Sequence, residues 1–127
     1  MNSKVATGSR LLLGLIFLIF GSNGLMMVIT GSGFIPMPPP NPMMAGFFTI
    51  AYLMPLVKTL QVISALFLLS NKFVNLALVL LTPIVVNILA IHIFIDLAGL
   101  PMALFLVILL ALQFKHRWND FSALIKK

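Results

Sequence analysis

The stretch FVNLALVLLTPIVVNILAIHIFI, residues 73–95, decides the class of this chain. It contains no Asp, Glu, Lys or Arg, and Lys72 and Asp96 bound it. At about 1.5 Å per residue, a helix of that length covers the roughly 30 Å of a bilayer's hydrocarbon core. Three more apolar runs accompany it: Leu11 to Ile29, Phe47 to Leu69 and Leu100 to Phe114. Backbone groups in lipid must bond within their own segment, which helices achieve and short open strands do not. The sequence therefore predicts an all-α membrane protein, a single domain over residues 1–127 built as a four-transmembrane-helix antiparallel bundle. The expected spans lie near residues 10–30, 46–70, 73–95 and 99–116, with a Pro-rich outer loop at 31–45. The last apolar run is short, and snorkelling cations from Lys115 to Arg117 extend it to the interface.

Composition agrees. Of 127 residues, 61% are hydrophobic and 8% charged, against about 25% charged in a soluble domain. That excludes a water-facing globule and a disordered chain. The absence of cysteine excludes disulfides, thiolate metal sites and cysteine nucleophiles.

The formal charge of +6 could suggest a nucleic-acid binder, but its distribution argues for a membrane boundary. Lys4 and Arg10 precede the first span, Lys72 joins the second to the third, and Lys115, Arg117, Lys126 and Lys127 follow the fourth. All seven fall on one face, and the opposite loops hold no Lys or Arg. Positive loops stay cytoplasmic, so both termini are expected inside. Cations dispersed along a headgroup boundary form no groove for nucleic acid. His116 is expected to be solvated on the same side, and Trp118 is an interface anchor. The leucine-rich run after Arg10 is too long for a signal peptide's apolar region and lacks a small-residue cleavage site, so it reads as the first span.

The loop from Gly31 to Gly46 holds Pro36, Pro38, Pro39, Pro40 and Pro42, which exclude a continuous helix. Its apolar residues, among them Phe34, Ile35, Met43 and Met44, suggest a segment that folds back across the outer mouth of the bundle; a stiff strap lying in the headgroups is the alternative. Gly14, Gly21 and Gly24 allow a second helix close to the first. Pro55 and Pro83 fall inside expected spans and should kink them. No internal repeat supports an inverted-repeat transporter.

Lys58 most requires an explanation. It lies 14 positions before Lys72, about 21 Å along a helix, where an ionisable side chain costs roughly 2.5–3.5 kcal/mol and marks function by default. Asn23 and Asn87 fall at similar depth, and Gln61 shares the face of Lys58 at i+3. These four are the candidate ligand-binding residues. His92 and Asp96, one turn apart nearer the outer boundary, would continue an outer polar route. Each has a plainer role: Asp96 as a turn cap, His92 as a partner of a carbonyl, Asn23 and Asn87 as interhelical glue, and Lys58 as a snorkelling cation. The fourth span reads as a packing wall.

The inventory limits chemistry. Asp96 and Asp120 are the two carboxylates and lie on opposite sides, so no acid/base pair forms. His92 and His116 are likewise separated, which excludes bis-histidine haem ligation within one chain. No metal spacing, phosphate loop or dinucleotide fingerprint is present. A buried cation with amide donors suits the carbonyl-bearing or anionic headgroup of a lipid-soluble molecule.

Several stretches together resemble the DoxX-like family of small four-helix membrane proteins over nearly the whole chain. They are Arg10 to Gly21 with Asn23, Phe34 to Pro38, Tyr52 to Lys58 with Gln61, Leu76 to Pro83 with Asn87, and His92 through Asp96 to Gly99-Leu-Pro101. The resemblance implies an association with membrane oxidoreductase systems in a bacterial cytoplasmic membrane. Family members often carry Glu where this chain has Gln61. Lys58 then lacks an adjacent counter-ion, which favours an anionic ligand or an uncharged amine and argues against a proton relay there.

The expectation is a binding or accessory subunit with a quinone or other lipid as its possible ligand, and with no autonomous catalytic machinery. Its partners would be membrane lipids, with a membrane protein or a second copy also open. The alternative is a structural or lipid-handling protein that docks a partner without redox chemistry. A transporter is a weaker third, because four helices and one intramembrane charge supply little for a pathway.

Overall fold

The computed structural model describes residues 2–37 and 41–126. Pro38, Pro39 and Pro40 of the loop and Lys127 of the basic tail lie outside them. Four helices are long and apolar enough to cross a membrane, and no strand occurs among the described residues. Helix α1 (Ser3–Thr30) is followed by a short α2 (Pro42–Phe48), α3 (Leu53–Ser70), α4 (Val74–Phe94) and α5 (Leu100–His116), with one further turn, α6 (Trp118–Phe121). The long helices pack in a ring, α1 on α3, α3 on α4, α4 on α5 and α5 on α1. Both ends of the chain therefore meet at one end of the bundle, the terminal end. The opposite end, which carries the long connection, is the loop end.

Local chemistry sets the boundaries. The Asn2 side chain caps α1 by accepting the Lys4 N–H at 2.8 Å, so this helix starts a full two turns before its apolar block. Gly31 ends it in the left-handed region, φ 85°, and donates to the Met27 carbonyl, a conformation that suits a residue without Cβ. Asn41 caps α2 through the N–H groups of Met43 and Met44.

The second apolar block is not one helix. The expected span of residues 46–70 is divided: α2 ends at Phe48, the chain turns through 49–52, and α3 begins at Leu53. Pro55 therefore sits in the first turn of α3, where its missing N–H is one of the groups a helix leaves unbonded anyway. It opens the helix and does not kink it. Pro83 is inside α4 as expected, which removes the bond that residue 83 would make to the Val79 carbonyl.

The glycine stripe of α1 acts as read. A Cβ on Gly14 would lie 3.0–3.1 Å from Leu68 and Leu69, and one on Gly21 3.1 Å from Gln61 and Val62. Helix α3 thus lies directly on the α1 backbone. The core, with Leu13, Phe17, Leu68, Leu78, Leu81 and Leu106, fills the terminal part of the bundle. Within α3 no residue before Gln61 is buried, and within α4 none after Val85. Beyond that level the two helices leave a space between them.

Candidate functional site

That space is a cavity of about 330 Å³. Its walls follow from helical periodicity. Leu53, Met54, Val57, Lys58 and Gln61 of α3 face Pro83, Ile84, Asn87, Ile88, Ile91 and His92 of α4, each set repeating at intervals of three, four and one. Met44 and Phe47 of α2 close it from the loop side, and Asp96 completes the rim. The connection from α1 to α3 folds back over this end: Asn41 Nδ2 donates to the carbonyl of Ile95, just beyond α4, at 3.3 Å.

Five of the six sequence-derived residues therefore line one cavity: Lys58, Gln61, Asn87, His92 and Asp96. Asn23 does not. It is buried in α1, where its Oδ1 accepts the Ile35 N–H at 2.9 Å and its Nδ2 donates to the Ile35 carbonyl at 3.4 Å. Its amide pins the loop. Gly33 is required beside it, because any Cβ there would collide with the Asn23 side chain.

Lys58 lies five residues inside the loop end of α3, about 8 Å along the axis. This places it nearer that end than the uninterrupted apolar block implied, because the helix starts at Leu53. Its aliphatic stem crosses Gly24 of α1, where a Cβ would come to 2.5–3.0 Å from Cγ, Cδ and Cε. Its Nζ turns toward the bundle core and donates to Gln61 Oε1 at a long 3.4 Å. That is the only hydrogen bond Nζ makes among the described residues, although an ammonium carries three donors. No hydrogen bond joins Nζ to His92 or Asp96 among the described residues.

His92 and Asp96 have the plainer contacts. His92 Nδ1 is 2.9 Å from the Asp96 carbonyl oxygen. A carbonyl only accepts, so Nδ1 carries the hydrogen and Nε2 keeps its lone pair in the neutral ring. The ring packs on Gly99, where a Cβ would collide with it, which gives the Gly99-Leu-Pro101 stretch a local reason. Asp96 Oδ1 accepts the Ala98 N–H at 3.2 Å and caps the 3-10 turn Leu97–Gly99. No continuous hydrogen-bonded route joins these groups to Lys58 among the described residues. They contribute separate polar points on the wall of a largely apolar cavity.

Sequence reasoning missed polar groups at the terminal end. The α5 wall contains Gln113, 1% exposed, whose Nε2 donates to the Ala6 carbonyl at 2.7 Å and to Ser9 Oγ at 2.6 Å. Arg10 donates to the Leu68 carbonyl near the end of α3. Arg117 donates to Asn75 Oδ1 at 3.2 Å, and Asn75 donates to Asp120 Oδ2 at 2.8 Å. The signal for Gln113 was a lone amide in an apolar run, the same signal that singled out Asn87.

No family model, curated protein or solved structure matches this chain. The resemblance to the DoxX-like family therefore rests on the residues of the chain alone.

Proposed function

We propose that this is a multi-pass membrane protein that binds a lipid-soluble molecule with a carbonyl or anionic headgroup, of the quinone class, between α3 and α4. One observation carries the reading. Lys58, a residue that is costly to place in an apolar span, lines the cavity with, among the described residues, a single long hydrogen bond to Gln61. A headgroup oxygen beside Nζ would supply the acceptor that the protein itself offers only weakly. Asn87 and His92 Nε2 add a donor and a lone pair to the same wall, and Met54, Ile84 and Ile88 suit a ring or an apolar tail. The positive residues gathered at the terminal end support an orientation with both termini in the cytoplasm. The family resemblance extends this to a bacterial cytoplasmic membrane and an accessory role in a redox system; the geometry supports binding.

A second reading is supported by the loop end, where Met43, Phe48 and Tyr52 are exposed. These side chains suit a neighbouring membrane protein, with the cavity serving only as packing space. One experiment separates the two. Lipids extracted from purified wild-type chain and from Lys58→Ala are quantified by mass spectrometry. The binding reading expects quinone or another lipid with an oxygen-rich headgroup in stoichiometric amount with the wild type and at least tenfold less with the variant. Equal content in both would leave the docking reading.

A further inference from the structure

The terminal end carries a second cavity that the proposed function does not use. It has a volume of about 140 Å³ and lies among Thr7 and Arg10 of α1, Asn71 of the α3–α4 turn, and Gln113, His116 and Arg117 at the end of α5. The sequence scatters these residues over more than a hundred positions; the antiparallel ring returns them to one place. Three of the lining side chains, Arg10, His116 and Arg117, are basic or imidazole groups, and no carboxylate lines the cavity among the described residues. Asp120, the acid at this end, is held by Asn75 at 2.8 Å.

The donors are only partly used. Each guanidinium has five N–H groups; Arg10 gives one to the Leu68 carbonyl and Arg117 one to Asn75. Arg117 Nε is buried and has no hydrogen-bond partner among the described residues. A buried donor on a permanent cation without an acceptor is costly; an anion in the adjoining cavity would offset that cost by compensating the charge, with its oxygens meeting the other N–H groups of the guanidinium. Gln113 does not supply the acceptor: its Nε2 donates to Ala6 and Ser9, and its Oε1 accepts nothing from Arg117 Nε. Planar guanidinium groups beside a hydroxyl and an amide match the oxygens of a phosphate. If the four helices cross a bilayer, this cavity also lies at the ends of the spans, where headgroup phosphates are found.

We propose that the cavity formed by Thr7, Arg10, Asn71, His116 and Arg117 binds a phosphate group, carried by an anionic lipid headgroup or free in solution. The full chain in neutral detergent is titrated with short-chain phosphatidylglycerol, with inorganic phosphate and with sodium chloride at matched ionic strength. Thermal midpoint and native mass spectrometry are the readouts. The expected result is a saturable rise with phosphatidylglycerol or with phosphate, above the chloride response. The lipid arm alone responding assigns a headgroup, and both responding assigns a free anion as well. Arg117→Gln should weaken binding about tenfold or more. His116→Gln changes an exposed side chain and preserves folding, and it should weaken binding severalfold. A wild-type response no greater than chloride, or equal affinity in the wild type and His116→Gln or a folded Arg117→Gln, would overturn the proposal.

Discussion

The two ends of the bundle use similar polar residues in opposite ways. At the terminal end, hydrogen bonds run between helices: Gln113 of α5 to Ala6 and Ser9 of α1, Arg10 of α1 to Leu68 of α3, and Arg117 through Asn75 of α4 to Asp120. At the loop end, the cavity-lining groups bond along their own segment, Lys58 to Gln61, His92 to the Asp96 carbonyl, and Asp96 to Ala98. Among the described residues no hydrogen bond joins α3 to α4 there. Bonds between helices resist their separation, whereas bonds along one helix leave the space between helices open to another molecule. Depth along the bundle alone does not distinguish groups that tie helices together from groups left facing a cavity; the direction of the partner does.

The largest expected break in this contrast is Gln113→Leu. It removes two buried hydrogen bonds between α5 and α1, and reversible unfolding in detergent followed by circular dichroism should lose about 2–3 kcal/mol. A loss below about 0.5 kcal/mol would mean that the terminal contacts do not hold the bundle. Asn23→Ala comes next. Its cost is roughly 1–2 kcal/mol, confined to the loop it pins, so amide exchange at Ile35 should accelerate about five- to thirtyfold while the core of α4 stays protected. Exchange unchanged at Ile35 would show that the loop is held by other contacts. Gly24→Ala should have the smallest effect on stability, within about 0.5 kcal/mol, since the helix gains from alanine what the contact loses. Its new Cβ would displace the Lys58 stem, so titration with decylubiquinone should give severalfold weaker binding. Unaltered affinity would separate the ligand from the position of Lys58.

The four spans were legible because hydropathy and the charges that bound each run report where a helix can lie in lipid. The break at residues 49–52 was not, since Ile50, Ala51 and Tyr52 continue the apolar run; Pro55, read as a kink, was the marker of a helix start. Grouping Lys58, Gln61, Asn87, His92 and Asp96 was legible because helical rise fixes depth and i, i+3 and i+4 spacing fixes a shared face. Asn23 matched them in depth but not in direction. Azimuth between helices is hard to read when apolar residues surround each helix on every side. The same reason concealed the convergence of Arg10, His116 and Arg117, which belong to helices far apart in sequence and adjacent only once the ring closes.

The most direct measurement is a structure of the full chain purified in native lipid, compared with that of Lys58→Met. Binding by Lys58 predicts elongated density in the wild type with its head within hydrogen-bond distance of Nζ, between Asn87 and Gln61. In the variant it predicts the same helix packing with that density gone. Density equally strong in both, or a cavity filled by rearranged side chains of the protein in both, would contradict it.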